Sequence, residues 1–203
     1  KMQLVLATAN KGKFQEILSI LSDLRISFLS ISSFLGHVAT IESGLTYAEN
    51  ASAKARAAAQ LAGMWALADD SGLEIDALRG EPGPHSSRFL GPGATDRDRN
   101  QRILELLEGI PVERRTASFH CTVALAGPGR ELFLTHGICE GIIAQVPAGA
   151  EGFGYDPIFV VPERGVTMAS LLLDLKNRIS HRARAIEKTK RLLQGLAFSS
   201  PAS

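Results

Sequence analysis

Cysteine is nearly absent from this chain of 203 residues. There are two, Cys121 and Cys139, too few for a disulfide framework at this size. Both fall in strand-like stretches, and the expectation is two half-buried, reduced thiols in a cytoplasmic setting. Neither sign of charge is in excess: 22 basic against 21 acidic side chains leave a net charge of +1. That balance gives no mandate for nucleic acid or an anionic membrane as a partner. No apolar run approaches the roughly 18 residues that span a bilayer. The strand-like run Leu4–Ala7 begins so early that no secretory leader is expected. The zinc signatures HExxH and CxxC, the nucleophile elbow GxSxG and the P-loop spacing are all missing, as are internal repeats and low-complexity tracts.

What is there is a globular composition, 45% hydrophobic and 21% charged, enough for a sizeable core in one domain or two lobes sharing it. Strand and helix signals alternate. After Leu4–Ala7, Asn10 is placed to cap a helix that puts Phe14, Ile17, Leu18 and Leu21 on one face. Arg25–Ile31 reads as a strand. Thr46 and Glu49 form a capping box for an alanine-rich helix running to about Leu61. Met64–Ala68 reads as a strand that ends on two aspartates, and Gly80–Gly93 is too rich in Gly and Pro for regular structure. Thr95 caps a helix carrying Ile103, Leu104, Leu106 and Leu107. Ala117–Ala126 and Glu131–Ile143 read as a hairpin around Gly127-Pro128-Gly129. A short strand, Ile158–Val161, follows a Gly-rich loop, and Ser180 caps a last helix ending near Gly195, with 198–203 as a frayed tail. The pattern predicts an α/β fold with a mixed sheet.

Four segments have charges or glycines out of place for mere scaffolding. In Thr8-Ala9-Asn10-Lys11-Gly12-Lys13 a helix begins with two lysines, where the macrodipole favours anions. Either a bound phosphate neutralises them or this is an ordinary solvated helix start. Ser180-His181-Arg182 repeats the pattern, with Lys176 and Asn177 just upstream; a basic surface helix is the plainer reading. Asp69-Asp70-Ser71-Gly72 puts two carboxylates where they repel unless a cation intervenes. Mg²⁺, a hard ion, suits such oxygens, and one carboxylate can act as general base; a capping turn is the alternative. Glu42 and Asp76 are further carboxylates that spacing alone does not place. Finally, Gly152-Phe153-Gly154-Tyr155-Asp156-Pro157 presents aromatic rings and a carboxylate on a hinged loop, able to stack on a purine, or else is a packed aromatic turn.

Taken in order, these segments resemble the inosine/xanthosine triphosphate pyrophosphatase family, also called Ham1-like. The matching stretches include Thr8–Lys13, Glu42–Thr46, Glu49-Asn50-Ala51, Lys54-Ala55, Asp69–Leu73, Pro82-Gly83 with Ser86-Ser87-Arg88, Phe153–Phe159, Lys176-Asn177 and Ser180-His181-Arg182. The resemblance implies a long bent mixed sheet flanked by helices, in two lobes with a central cleft, as a single domain over residues 1–203. It implies Mg²⁺-dependent hydrolysis of ITP, dITP and XTP to the monophosphate and pyrophosphate, which cleanses the nucleotide pool, in a cytoplasmic homodimer. Carried over residue by residue, Asp70 is the catalytic acid and holds the metal with Glu42, Asp69 supporting. Thr8, Ala9, Asn10, Lys11, Gly12, Lys13, Lys54 and Ser71 hold the triphosphate. Phe153, with Gly154 and Tyr155 in its loop, stacks on the base, while Asp156, Lys176, His181 and Arg182 read its edge or reach phosphate.

The chain departs from the family pattern at Ala9, where Gly is common, at Pro84-His85, and at Ser170, where Glu is frequent. These touch substrate preference or packing, not the carboxylates. Two alternatives stand beside this reading. A Maf-like pyrophosphatase for modified nucleotides is disfavoured by the Gly-Phe-Gly-Tyr-Asp-Pro loop and the Ser-His-Arg helix. A non-catalytic nucleotide-binding protein is disfavoured by the balanced charge.

Overall fold

A computed structural model describes residues 2–34 and 44–199. Its strands are β1 (Gln3–Leu6), β2 (Ser27–Ser30), β3 (Ala66–Ile75), β4 (Thr116–Ala126), β5 (Leu132–Ile143), β6 (Phe159–Val161) and β7 (Val166–Thr167). The helices are α1 (Lys11–Ile20), α2 (Tyr47–Ala62), α3 (Asp96–Leu106), α4 (Leu173–Ile179) and α5 (His181–Ser199). The strands form one sheet in the order β2-β1-β3-β4-β5-β6-β7. β1 pairs with β2 and β3 in parallel, whereas β5–β6 and β6–β7 are antiparallel, so the sheet is mixed. The α/β expectation with a mixed sheet is met.

The chain divides into two compact units, the first built from Lys1–Asp70, Cys121–Gly137 and Arg182–Ser203. Here strand residues alternate between two buried faces, as the pleat requires. Leu4, Leu6, Leu67, Val123 and Leu125 pack with Ile17 of α1, with Leu21 just past its end, and with Ala185, Ile186 and Leu193 of α5. Val5, Ala7, Ala66, Ala68, Ala124 and Ala126 form a small-residue face against Ala51, Ala55, Ala58 and Ala59 of α2. Alanine on both surfaces lets α2 lie close to the strands. Its Thr46–Glu49 capping box forms as expected, and Gly63, at φ 65°, closes the other end in the left-handed region that favours glycine.

The second unit comprises Ser71–His120 and Ile138–His181. Its core gathers Leu73 and Ile75 of β3, Ile103 of α3, Ala117 and Phe119 of β4, and Tyr155, Ile158, Phe159 and Met168. Both thiols are free and buried: Cys121 lies in the first unit's core and Cys139 in the second's.

Four elements differ from expectation. β3 does not stop at Ala68 but runs through both aspartates to Ile75. α4 and the two-residue β7 had no sequence signal. Ser180 ends α4, whose Lys176 carbonyl accepts its backbone N–H, directly before α5. α5 itself continues past Gly195 to Ser199, so the helix covers the first two residues of the expected tail. Its remainder lies outside the described residues.

Candidate active site

In the first unit, two helix starts and two strand aspartates meet. Asn10 caps α1, its Oδ1 accepting the Lys13 N–H at 3.0 Å, and Thr8 Oγ1 accepts the Asn10 N–H at 3.2 Å. This short ladder fixes the Thr8–Lys13 turn, with Ala9, Asn10 and Lys11 exposed and Gly12 half-buried. No acidic side chain lies in the first turn of α1. The Lys13 ammonium instead reaches Asp69 Oδ2 at 3.0 Å.

Asp69 is buried, and the same Oδ2 also accepts from Arg182 Nε at 3.2 Å and from the Cys121 thiol at 3.9 Å. Burial raises the pKa of Asp69, but the charges of Lys13, Arg182 and Lys54 outweigh it and hold the carboxyl well below the usual range. The Cys121 thiol is pushed up to about 12, by burial first and by the Asp69 charge second, and stays neutral. Arg182 is 1% exposed and also donates to the buried carboxylate of Glu16. Burial disfavours its charge, but Glu16 and Asp69 more than restore it and raise its pKa. The cationic helix starts read from the sequence are therefore neutralised, at Lys13 and Arg182, by carboxylates of the chain itself.

Asp70 belongs to a separate group. Its Oδ1 accepts from Lys54 Nζ at 3.1 Å and its Oδ2 from Asn50 Nδ2 at 3.0 Å, both donors coming from α2. Lys54 Nζ also reaches the Asp69 carbonyl at 3.3 Å. The two aspartates are thus neither a repelling pair nor a capping turn. They are successive residues of a strand, so their side chains leave on opposite faces. Each oxygen of Asp70 retains a lone pair beyond its single bond, and Asp69 Oδ1 is buried with no hydrogen-bond partner among the described residues.

That spare acceptor capacity, all of it carboxylate oxygen, suits a hard dication. Among the described residues no three His, Cys, Asp or Glu side chains gather as a metal cage. Glu42, the other carboxylate expected at the metal, lies outside the described residues.

In the second unit the Gly-rich loop is tied down from several sides. Asp156 Oδ2 accepts the Phe153 N–H at 3.1 Å and Lys176 Nζ at 2.5 Å. The Lys176 ammonium also lies 4.7 Å from the centroid of the half-buried Phe153 ring, a cation–π distance. Gly152, at φ 75°, leaves room where a Cβ would fall on the Asp156 carboxylate. Tyr155 is buried and donates its hydroxyl to the Ser86 carbonyl at 2.8 Å; burial raises its pKa. Ser86 Oγ in turn donates to Gly83 O at 2.6 Å and accepts the Leu73 N–H at 2.8 Å. Gly154 is gripped by α3, its N–H by Asp96 at 2.8 Å and its carbonyl by Asn100 at 3.0 Å. His181 is buried with its ring stacked on Phe119, centroids 4.7 Å apart. Ser71 is half-buried in this unit.

The first unit therefore assembles Thr8, Lys13, Lys54, Asp69, Asp70 and Arg182, and the second assembles Phe153, Asp156 and Lys176, with His181 on Phe119. Sequence reasoning missed Glu16, Asn50, Asp96 and Asn100 as site residues. A glutamate inside the apolar face of α1 was the only local sign of the first. The others look like ordinary helix polar residues until their partners are known.

The Ham1 family model matches residues 4–192. Among curated proteins, a dITP/XTP pyrophosphatase of Desulforamulus reducens is 47% identical over 96% of this chain and 97% of its own. One from Geobacter sulfurreducens is 48% identical over 93% of this chain and 94% of its own. Among solved structures, a HAM1 protein from Coxiella burnetii superposes with a TM-score of 0.86 at 45% identity, covering 96% of this chain and all of that one, 100%.

Proposed function

Because the chain belongs to the Ham1 family, we infer that it hydrolyses deaminated purine nucleoside triphosphates, ITP, dITP and XTP, to the monophosphate and pyrophosphate. Its role is to keep such bases out of the nucleotide pool. The observation that carries the chemistry is Asp70, a buried carboxylate held at both oxygens by Lys54 and Asn50 yet with lone pairs to spare.

In this reading Asp70 takes a proton from the attacking water as its oxygen bonds to the α-phosphorus. The bond from that phosphorus to the bridging oxygen breaks, and pyrophosphate leaves. Thr8, Ala9, Asn10, Lys11, Gly12, Lys13, Lys54 and Ser71 bind the phosphates through backbone N–H groups, hydroxyls and ammonium charge. Asp70 and Glu42 would hold Mg²⁺, with Asp69, whose side chain leaves the other face of β3, a supporting carboxylate and not a partner on the same ion. When bound, that ion supplies Lewis-acid charge and lowers the pKa of water. Arg182 belongs to the same group in this reading, its guanidinium held by Glu16 and Asp69.

Phe153, in the loop with Gly154 and Tyr155, stacks on the base, while Asp156, Lys176 and His181 read its edge. A 6-keto purine offers an oxygen acceptor and an N1–H donor, and adenine offers the reverse. A site built for the first leaves polar groups unpaired with the second, a mismatch worth up to about 10⁴-fold in discrimination. The resemblance further implies a cytoplasmic homodimer. Among the described residues no helix is long and apolar enough to cross a membrane.

The test is pyrophosphate release from a panel of nucleoside triphosphates with and without Mg²⁺. Equal rates on ATP and ITP overturn the specificity. Asp70→Asn is expected to abolish turnover and spare ITP binding; retained hydrolysis removes Asp70 from its role.

A further inference from the structure

The Gly-rich loop hinges on Gly154, whose φ of 65° lies where glycine moves most freely. An aromatic ring on the adjacent residue inherits that freedom unless both peptides flanking the hinge are held. In this protein they are, by one helix. The Phe153–Gly154 peptide donates its N–H to Asp96 Oδ2 at 2.8 Å, and the Gly154–Tyr155 peptide presents its carbonyl to Asn100 Nδ2 at 3.0 Å.

The two holding groups are unlike each other in a useful way. Asp96 is the first residue of α3, exposed, and tethered by Arg99, whose Nη1 reaches its other oxygen at 3.1 Å. Arg99 is itself fixed by the Phe89 carbonyl at 3.0 Å. Asn100 is one turn further along and 5% exposed. Its Oδ1 is buried without a partner among the described residues, so the Gly154 bond is the one hydrogen bond that answers the cost of burying this amide. On the other side of the hinge, Asp156 holds the Phe153 N–H and Lys176 lies over the ring. Phe153 is thus framed by Asp156 and Lys176 on its own loop side and by α3 beyond it.

We propose that Asp96 and Asn100 are specificity-determining positioning residues: they lock the Gly154 hinge so that Phe153 presents its face to a purine in one fixed orientation. The inference rests on the reading that Phe153 stacks on the base. Stacking on an aromatic is worth enough per base that a ring free to swing loses about five- to tenfold in substrate binding. Both residues bond the loop that carries the base-stacking ring and not the general base of the proposed reaction, so kcat stays within about twofold.

The experiment measures kcat and KM for dITP and dATP, with melting temperatures, in Asp96→Ala, Asp96→Asn, Asn100→Ala, Phe153→Ala and the α3 surface variant Glu105→Ala. The expected result is a rise of about five- to tenfold in KM for dITP in Asp96→Ala and Asn100→Ala, and a lower dITP/dATP ratio of kcat/KM. Asp96→Asn keeps an acceptor oxygen and is expected to restore both. Glu105→Ala leaves both unchanged. Unchanged KM in Asp96→Ala, or a fall in kcat alone, overturns the proposal, as does failure of Asp96→Asn to restore the ratio. Asp96 is exposed, so its variants give this answer even if Asn100→Ala does not fold. If Phe153→Ala raises KM while the α3 variants do not, the inference fails and the base-stacking reading survives. If Phe153→Ala changes nothing, both fall.

Discussion

Replacing Arg182 with methionine tests the buried charge network most directly. The guanidinium is 1% exposed and lies between two carboxylates that are themselves 2% exposed, Glu16 and Asp69. Methionine fills much of the same space, so the main change is electrostatic. Asp69 keeps Lys13 at 3.0 Å, but Glu16 loses the cation that offsets its burial. Removing one partner of a buried ion pair costs about 3–5 kcal/mol. For a chain of this length each kcal/mol moves the melting temperature by about 2–4 °C, so Arg182→Met is expected to melt about 6–20 °C below the parent. The diagnostic measurement is a second substitution. Glu16→Gln in the Arg182→Met background removes the stranded charge and is expected to recover about 1–3 kcal/mol, a coupling readable by calorimetry across the four proteins. A loss under about 2 °C in Arg182→Met, or strictly additive single and double variants, refutes the network.

Lys13→Ala is expected to raise KM for dITP by about tenfold or more, the worth of a charge-assisted phosphate contact; steady-state kinetics with an unchanged KM removes the start of α1 from phosphate binding. Asp69 sets an acid limit on stability. Its folded pKa lies well below the usual carboxylate value, so its contribution is complete above about pH 4–5 and is lost as pH falls toward the folded value. Urea unfolding between pH 5 and pH 2 is expected to show a steeper loss for the parent than for Asp69→Asn, and parallel curves contradict it. Ala55→Leu intrudes on the alanine face between α2 and the strands. Overpacking there is expected to cost about 1–3 kcal/mol in denaturant unfolding, and a neutral result means that face is loosely packed.

Local signals made much of the fold legible. The capping residues Asn10, Thr46 and Thr95 mark three helix starts to the residue, because a cap is a contact within a single turn. The β4–β5 hairpin follows from two long apolar runs around Gly127-Pro128-Gly129. β7, with two residues, and α4, with seven, are too short to show a period. α5 passes Gly195 because one glycine costs a helix only about 1 kcal/mol, too little by itself to end it. In the site, the misplaced positive charge at two helix starts was legible, but its partners were not. Glu16 and Arg182 are 166 positions apart, and no spacing rule reaches across that distance. Lys13 and Arg182 each meet an internal carboxylate, a partner that neither a bound phosphate nor a solvated helix start had called for.

The end of β3 was misjudged for a reason that bears on the chemistry. Two aspartates followed by Ser-Gly have poor strand propensity, and a turn is their natural home until tertiary contacts are counted. The strand survives because its period of two hands each carboxylate to a different face. Asp69 has the parity of Leu67 and faces the side of α1 and α5, where Lys13 and Arg182 wait. Asp70 has the parity of Ala66 and Ala68 and faces α2, which supplies Asn50 and Lys54. A register slip of one residue would exchange the two environments. Their electrostatics then separate their capacities. Asp69 has two cations on one oxygen and is held ionised far into acid, which makes it a poor proton acceptor and a good fixed anion. Asp70 has one cation and one neutral amide, one on each oxygen, and each oxygen keeps a lone pair that can accept from a water molecule. The adjacent pair is better understood as two single carboxylates with separate duties, and that distinction favours Asp70 over Asp69 as the base.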